Sequence, residues 1–130
     1  MILGVGTDIL AIERIGLAIT RTPKLPARIL TTTELAGFEL TADPARYLAK
    51  RFAAKEAVVK ALGSGIGHGV SWRHIQIEKD GLGRPLVQLE AGAKVWADQK
   101  GIGQIHLSYS DEKDYILAFA VAESRSEEHQ

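Results

Sequence analysis

The run Arg51-Phe-Ala-Ala-Lys-Glu-Ala-Val-Val-Lys-Ala-Leu-Gly63 sets two lysines and a glutamate on a helix otherwise built for burial. At about 100° per residue, Leu48, Phe52, Val59 and Leu62 form one apolar face, with Lys55 near its centre and Glu56 and Lys60 along its margin. A buried ammonium or carboxylate is costly unless it meets a partner, a metal or an anion, so this helix is expected to pack against something charged. The plainer alternative is an i,i+4 pair of Glu56 and Lys60 on a solvated face. Ala45, Ala49 and Ala53 border the same margin and leave room for another backbone or a flat ligand.

Asp8 closes an apolar, glycine-containing stretch. It either caps the helix that follows or joins Glu56 as the second of two carboxylates for a hard cation, since magnesium at phosphates takes only one or two protein carboxylates. The loop Gly63-Ser-Gly-Ile-Gly-His-Gly69 follows a helix, not a strand, so neither the dinucleotide fingerprint nor a phosphate loop applies. It reads as a helix C-cap, or as an anion nest of backbone N–H groups beside Lys60. His68, His74, His106 and His129 lack metal-ligand spacing, which argues against zinc. His106 alternates with Ile105 and Leu107 and faces away from the core, to solvent or to a cleft. Arg14, Arg21, Lys24 and Arg28 make a basic stretch, either a solvated face or a landing site for an acidic partner.

These groups must be positioned by one domain. The 130 residues are 45% hydrophobic, and 16 basic side chains balance 16 acidic ones. No overall field therefore favours nucleic acid or an anionic membrane. With no cysteine, disulfides, thiolate metal sites and cysteine nucleophiles are excluded, in keeping with a cytoplasmic setting. The N-terminus reaches Asp8 before a signal-like apolar core could form, and no run approaches a membrane span, so a soluble, unprocessed protein is expected.

The pattern predicts a strand at 2–8 with Asp8 at its end, a helix at 11–20, an interruption at Pro23 and Pro26, and a short helix to about Leu40 opened by a Thr31/Glu34 capping box. Asp43 and Pro44 start the long helix and Gly63 stops it. Strands follow at 72–79 and 86–90 across the turn Asp80–Pro85, then a helix at 91–100 ended by Gly101 and Gly103. Strands at 104–110 and 115–122 and a polar, frayed tail at 123–130 complete the chain. The expected class is α+β, a single domain over 1–130 with a mainly antiparallel sheet packed on a long central helix.

Taken together, Gly4-Val-Gly-Thr-Asp-Ile-Leu10 with Ile12-Glu-Arg-Ile15, and Arg51-Phe-Ala-Ala-Lys-Glu-Ala57 with Lys60-Ala-Leu-Gly63, resemble holo-acyl-carrier-protein synthase, the small type of 4′-phosphopantetheinyl transferase. The resemblance spans nearly the whole chain, including the glycine loop, the Asp80–Pro85 hairpin and His106-Leu-Ser. It implies transfer of 4′-phosphopantetheine from coenzyme A to a serine of apo-acyl-carrier protein, release of adenosine 3′,5′-bisphosphate, and a role in fatty acid biosynthesis. By the same resemblance, Asp8 and Glu56 hold Mg2+, and Lys60 with Gly63, Ser64 and Gly65 grips phosphates. Arg51, Lys55 and His106 complete the coenzyme A set. Lys60 is a candidate proton donor, and the base is either Glu56 or a metal-bound water. Arg14, Arg21, Lys24 and Arg28 would meet the acidic helix of the carrier protein.

A homotrimer is also implied, its active site between subunits, with Asp8 and the long helix supplied from opposite sides of the interface. Ser110-Asp111 stands where many relatives have Ser-His, so that histidine's role cannot pass to Asp111. The length speaks against the larger two-halved transferases. Two further alternatives are a non-catalytic coenzyme A-binding subunit and a structural trimer in which Lys55 and Glu56 merely pair across the interface, without magnesium dependence.

Overall fold

The computed structural model describes residues 1–126. Its elements are β1 (Ile2–Ala11), α1 (Ile12–Arg21), α2 (Leu25–Ile29), α3 (Thr32–Leu40), α4 (Pro44–Leu62), a 3₁₀ turn (Trp72–His74), β2 (Ile75–Lys79), β3 (Pro85–Leu89), α5 (Ala91–Gln99), β4 (Ile102–Asp111) and β5 (Tyr115–Ser124). β1, β5 and β4 form an antiparallel sheet in that order, and β2 and β3 form a separate hairpin. This is the expected α+β arrangement, divided between two sheets.

α4 forms as predicted. The Asp43 side chain accepts from the Arg46 N–H at 3.2 Å, Pro44 opens the first turn, and Gly63 ends the helix in the left-handed region at φ 79°. It is buried around more than the one face the pattern suggests. Ala54, Ala57, Val58 and Ala61 are buried as well as Lys55 and Val59, because α4 lies between the sheet and the other helices. Gly16 of α1 packs at Ala45, so the backbone admitted by the small residues on that margin is α1.

β-strand alternation divides the large sheet into two unlike faces. The face toward α4 carries Gly4, Gly6 and Asp8 from β1, Ile116, Ala118, Ala120 and Ala122 from β5, and Leu107 from β4. Here small side chains let sheet and helix approach closely. A Cβ on Gly6 would stand 2.0 Å from the carbonyl oxygen of Ala57, and one on Gly4 2.0 Å from that of Ala61. The opposite face exposes Val5, Ile9, Tyr115, Leu117 and Phe119, with His106 on β4 opposite Val121.

Several boundaries differ from expectation. β1 runs three residues further, so Asp8 lies within the strand, paired in register with Ala118. Asp8 does not cap α1: the N-cap is Ala11, without a side-chain hydrogen bond, and the Ile12 N–H donates to Asp114 O at 3.0 Å. Pro26 sits in the first turn of α2, where proline's fixed φ is compatible with a helix start. Residues 72–74 form a 3₁₀ turn, not strand. Gly103 lies in β4, and Glu123 and Ser124 lie in β5; the last residues of the expected tail, 127–130, fall outside the described residues.

Candidate active site

The close contact of Gly4 and Gly6 with α4 carries Asp8 to the helix margin that holds Glu56 and Lys60. The Lys60 ammonium donates to Thr7 O at 2.8 Å and reaches Asp8 Oδ1 at 3.5 Å. Asp8 Oδ2 is buried without a hydrogen-bond partner. A buried carboxylate oxygen in that condition is costly unless a cation or donor completes it. Burial raises the Asp8 pKa, and the charge and hydrogen bond of Lys60 oppose that rise. Glu56 is raised by burial and then by repulsion from Asp8, with Trp72 and Lys60 acting the other way. A glutamate whose ionisation Asp8 opposes, beside an aspartate with an orphaned oxygen, fits a hard divalent cation whose other positions are filled by water and phosphate oxygens. Among the described residues no group of three or more metal-ligating side chains occurs.

Both acids come from one protomer. The division expected from the resemblance, with Asp8 and the long helix on opposite sides of an interface, is corrected by this geometry: Gly4 and Gly6 seat β1 on α4 of the same chain.

Lys55 is likewise not at a coenzyme A phosphate. It is fully buried, and its ammonium donates to Glu34 Oε1 at 2.6 Å, Ile29 O at 2.7 Å and Trp72 O at 3.2 Å. All three N–H groups are used. The charged partner anticipated for this helix is therefore Glu34, whose other oxygen accepts from the Ile77 N–H at 2.8 Å. The capping box with Thr31 forms as read, and the same glutamate does both jobs.

The glycine loop closes on itself. Gly63 N–H donates to the carbonyls of Val59 and Lys60, each at 3.1 Å, and Gly65 N–H to Val59 O at 3.2 Å. The Ser64 hydroxyl donates to Gly65 O at 2.8 Å. The C-cap is realised, and these three groups are not the expected phosphate cradle. Beside them, a cavity of about 320 Å³ is lined by Leu3, Gly4, Lys60, Gly63 and Lys100 among others. The sequence reading missed Lys100, because a single lysine at the end of α5 carries no motif. A cavity of about 390 Å³ between β3, α5 and β4 involves none of the candidate residues.

Arg51 lies roughly 140° around α4 from Glu56 at about 100° per residue, with its guanidinium 3.7 Å from the Tyr47 ring centre and its Nε buried and unpartnered. His106 stands on the exposed sheet face, 3.0 Å from Glu123 Oε1. Neither joins the acid pair within the protomer. Arg14, Arg21, Lys24 and Arg28 are exposed on α1 and around α2, and none makes an ion pair among the described residues. Asp111 bonds Arg46 and sits 3.3 Å from Lys50, tying the end of β4 to α4.

In this chain, then, a strand delivers one acid to a long helix bearing a second acid and a lysine. The model of the 4′-phosphopantetheinyl transferase superfamily matches residues 4–120, and the chain belongs to that family. A holo-[acyl-carrier-protein] synthase of Shewanella denitrificans is 51% identical over 95% of this chain and 98% of its own, and one of Pseudoalteromonas atlantica is 46% identical over 95% and 98%. The crystal structure of holo-[acyl-carrier-protein] synthase from Neisseria meningitidis superposes with a TM-score of 0.90 at 46% identity, covering 95% of this chain and all of that one. The Helicobacter pylori synthase in complex with coenzyme A gives 0.79 at 32% identity, covering 92% and 99%.

Proposed function

We propose that this chain is a holo-acyl-carrier-protein synthase that transfers 4′-phosphopantetheine from coenzyme A to a serine of apo-acyl-carrier protein, within fatty acid biosynthesis in the cytoplasm. The observation that carries the reading is the pair Asp8 and Glu56 beside Lys60, with Asp8 Oδ2 left without a partner. In the reaction the serine oxygen forms a bond to the phosphorus bearing the pantetheine. The bond from that phosphorus to the bridging oxygen breaks, and adenosine 3′,5′-bisphosphate departs with the electron pair. Mg2+, held by Asp8 and Glu56, would neutralise the charge of the pyrophosphate. Glu56, on the same helix margin beside Asp8, would accept the serine proton. Lys60 holds Asp8 in place and offers its ammonium to the leaving phosphate. Lys100 extends the cationic lining toward the nucleotide half.

The exposed apolar face of the sheet supports assembly as a homotrimer, since Val5, Ile9, Tyr115, Leu117 and Phe119 form a contiguous patch of the kind that marks an interface. Across it a neighbouring copy would bring His106 and Arg51 to the coenzyme. The exposed Arg14, Arg21, Lys24 and Arg28 would steer the acidic carrier protein, affecting association rate more than affinity.

Incubation with apo-acyl-carrier protein, coenzyme A and Mg2+ should add the mass of one phosphopantetheine arm to the carrier. Chelation of the metal, Asp8→Asn and Glu56→Gln should each abolish the addition while the circular dichroism of a folded protein persists. Full activity of both variants would end this reading.

A further inference from the structure

Lys60 faces two ways. On one side its ammonium bonds Thr7 O and reaches Asp8; on the other it lines the cavity of about 320 Å³ that follows the end of α4 to Lys100. The remaining side chains of that lining are aliphatic, and Gly4 and Gly63 contribute none. Two ammonium groups thus border one otherwise apolar hollow, and Lys100 makes no ion pair among the described residues. Like charges gathered in this way are stabilised by an anion entering between them. The hollow lies at a helix C-terminus, where free carbonyls would oppose an anion. Here they are occupied. Val59 O and Lys60 O accept from the N–H groups of the glycine turn, and Leu62 O accepts from the Trp96 indole N–H at 2.7 Å. The same indole holds the second lysine. Lys100 stands one turn on, at the C-cap of α5, with its ammonium 4.8 Å from the Trp96 ring centre, within cation–π range. Trp96 therefore occupies a carbonyl that would repel an anion and steadies a cation that attracts one.

We propose that Lys60 and Lys100 form a subsite for a phosphate group of coenzyme A, with Trp96 as the positioning residue of Lys100. Lysine suits phosphate as a point charge. With the Gly63 and Gly65 N–H groups spent on the helix end, the binding falls to these side chains. Lys60 belongs both to the acid cluster and to the cavity, so the subsite continues from the diphosphate position. The inference rests on the coenzyme A reading above, and the test separates the two claims.

Binding of coenzyme A is measured by calorimetry in chelator, so that no variant differs in metal. Lys100→Met should weaken it about 10-fold, as expected for one contact to a charged group. Lys94→Met removes the same charge from α5 outside this cavity and should change it by less than about 2-fold. Dephospho-coenzyme A tells which phosphate is held. A loss confined to coenzyme A assigns the 3′-phosphate, an equal loss for both ligands assigns the diphosphate, and either supports the subsite. Lys100→Met binding coenzyme A as well as the parent does overturns the subsite. Trp96→Leu removes the ring face and the N–H; combined with Lys100→Met it should bind no more weakly than the weaker single variant. A merely structural Trp96 would make the two losses add, and that result overturns its positioning role. Should Trp96→Leu fold poorly, Trp72→Phe leaves Trp96 as the sole indole. Its emission should shift as coenzyme A saturates the site and stay unmoved once Lys100→Met is added; an unmoved signal with Lys100 intact equally overturns the positioning role. If the parent binds neither coenzyme, the functional reading itself falls, and this inference with it.

Discussion

Asp8 and Glu56 hold charge at a cost to the fold. Both pKa values lie above their ordinary 3.8 and 4.5, with burial the first cause in each. A raised carboxyl pKa means that the folded state takes up protons. The associated stability is fully present below the unfolded pKa and is lost as pH rises through the folded one. Without a cation, the protein is therefore expected to lose stability as pH climbs through the weakly acidic range and then level off. Glu56→Gln should raise the unfolding midpoint at neutral pH in chelator and abolish activity. Mg2+ added to the coenzyme A complex should raise the midpoint of the parent further and leave that of the variant's complex unmoved, as thermal denaturation will show. Lys55 behaves oppositely: burial lowers its pKa and Glu34 counters this. Lys55→Met strands a buried carboxylate and should cost about 3–5 kcal/mol in urea denaturation. Adding Glu34→Gln should recover part of that loss, because the stranded charge goes with it. The need for a charged partner at Lys55 was legible from its place on an apolar face. Its identity was not, because Glu34 showed only its local sign, the capping box, and nothing in a linear chain says that one carboxylate serves a helix end, a distant lysine and the Ile77 N–H together.

β1 and α4 together make the site, and their spacing depends on residues with no side chain. Gly6→Ala would set a Cβ 2.0 Å from Ala57 O and 2.7 Å from Lys60 Cβ. The strand must then lift from the helix, at a cost of at least about 1–3 kcal/mol. The displacement takes Asp8 away from Glu56, so transfer activity should fall far more than the change in denaturation midpoint accounts for; activity retained at a lowered midpoint would show that the contact is structural alone. The glycines of Gly4-Val-Gly-Thr-Asp8 were visible, and their function was not, since alternation predicts a strand without saying how near its neighbour lies. The end of β1 was misjudged for a related reason: Asp8 is a poor strand former and a good cap, yet here the Asp114 carbonyl takes over the first N–H of α1. The β5 strand shows the same economy of side-chain size, with alanine at 118, 120 and 122 toward α4 and Tyr115, Leu117 and Phe119 turned out. That reversal of the usual large-inside pattern marks a sheet meant to be covered on both sides.

Covering the second face joins the assembly to the chemistry. His106 lies on that outer face, whereas Asp8 lies on the inner one with Lys60, so within one protomer the two stand on opposite faces of the sheet. In a closed trimer each site would combine the acids of one copy with His106 of the next. Charged residues at the sheet centre should prevent this: Phe119→Asp is expected to yield monomers by sedimentation and to lose activity without touching the acid pair. Complementation tests the shared site more directly. The Glu56→Gln and His106→Ala variants should both be impaired, and unfolding and refolding them together at equal amounts should restore activity if the copies close into a trimer. Random cyclic assembly gives each interface about a one-in-four chance of pairing an intact Glu56 with an intact neighbouring His106, so recovery should approach about a quarter of the parental rate. Sites contained within single subunits would recover nothing beyond the sum of the two variants, because every chain in the mixture carries one defect.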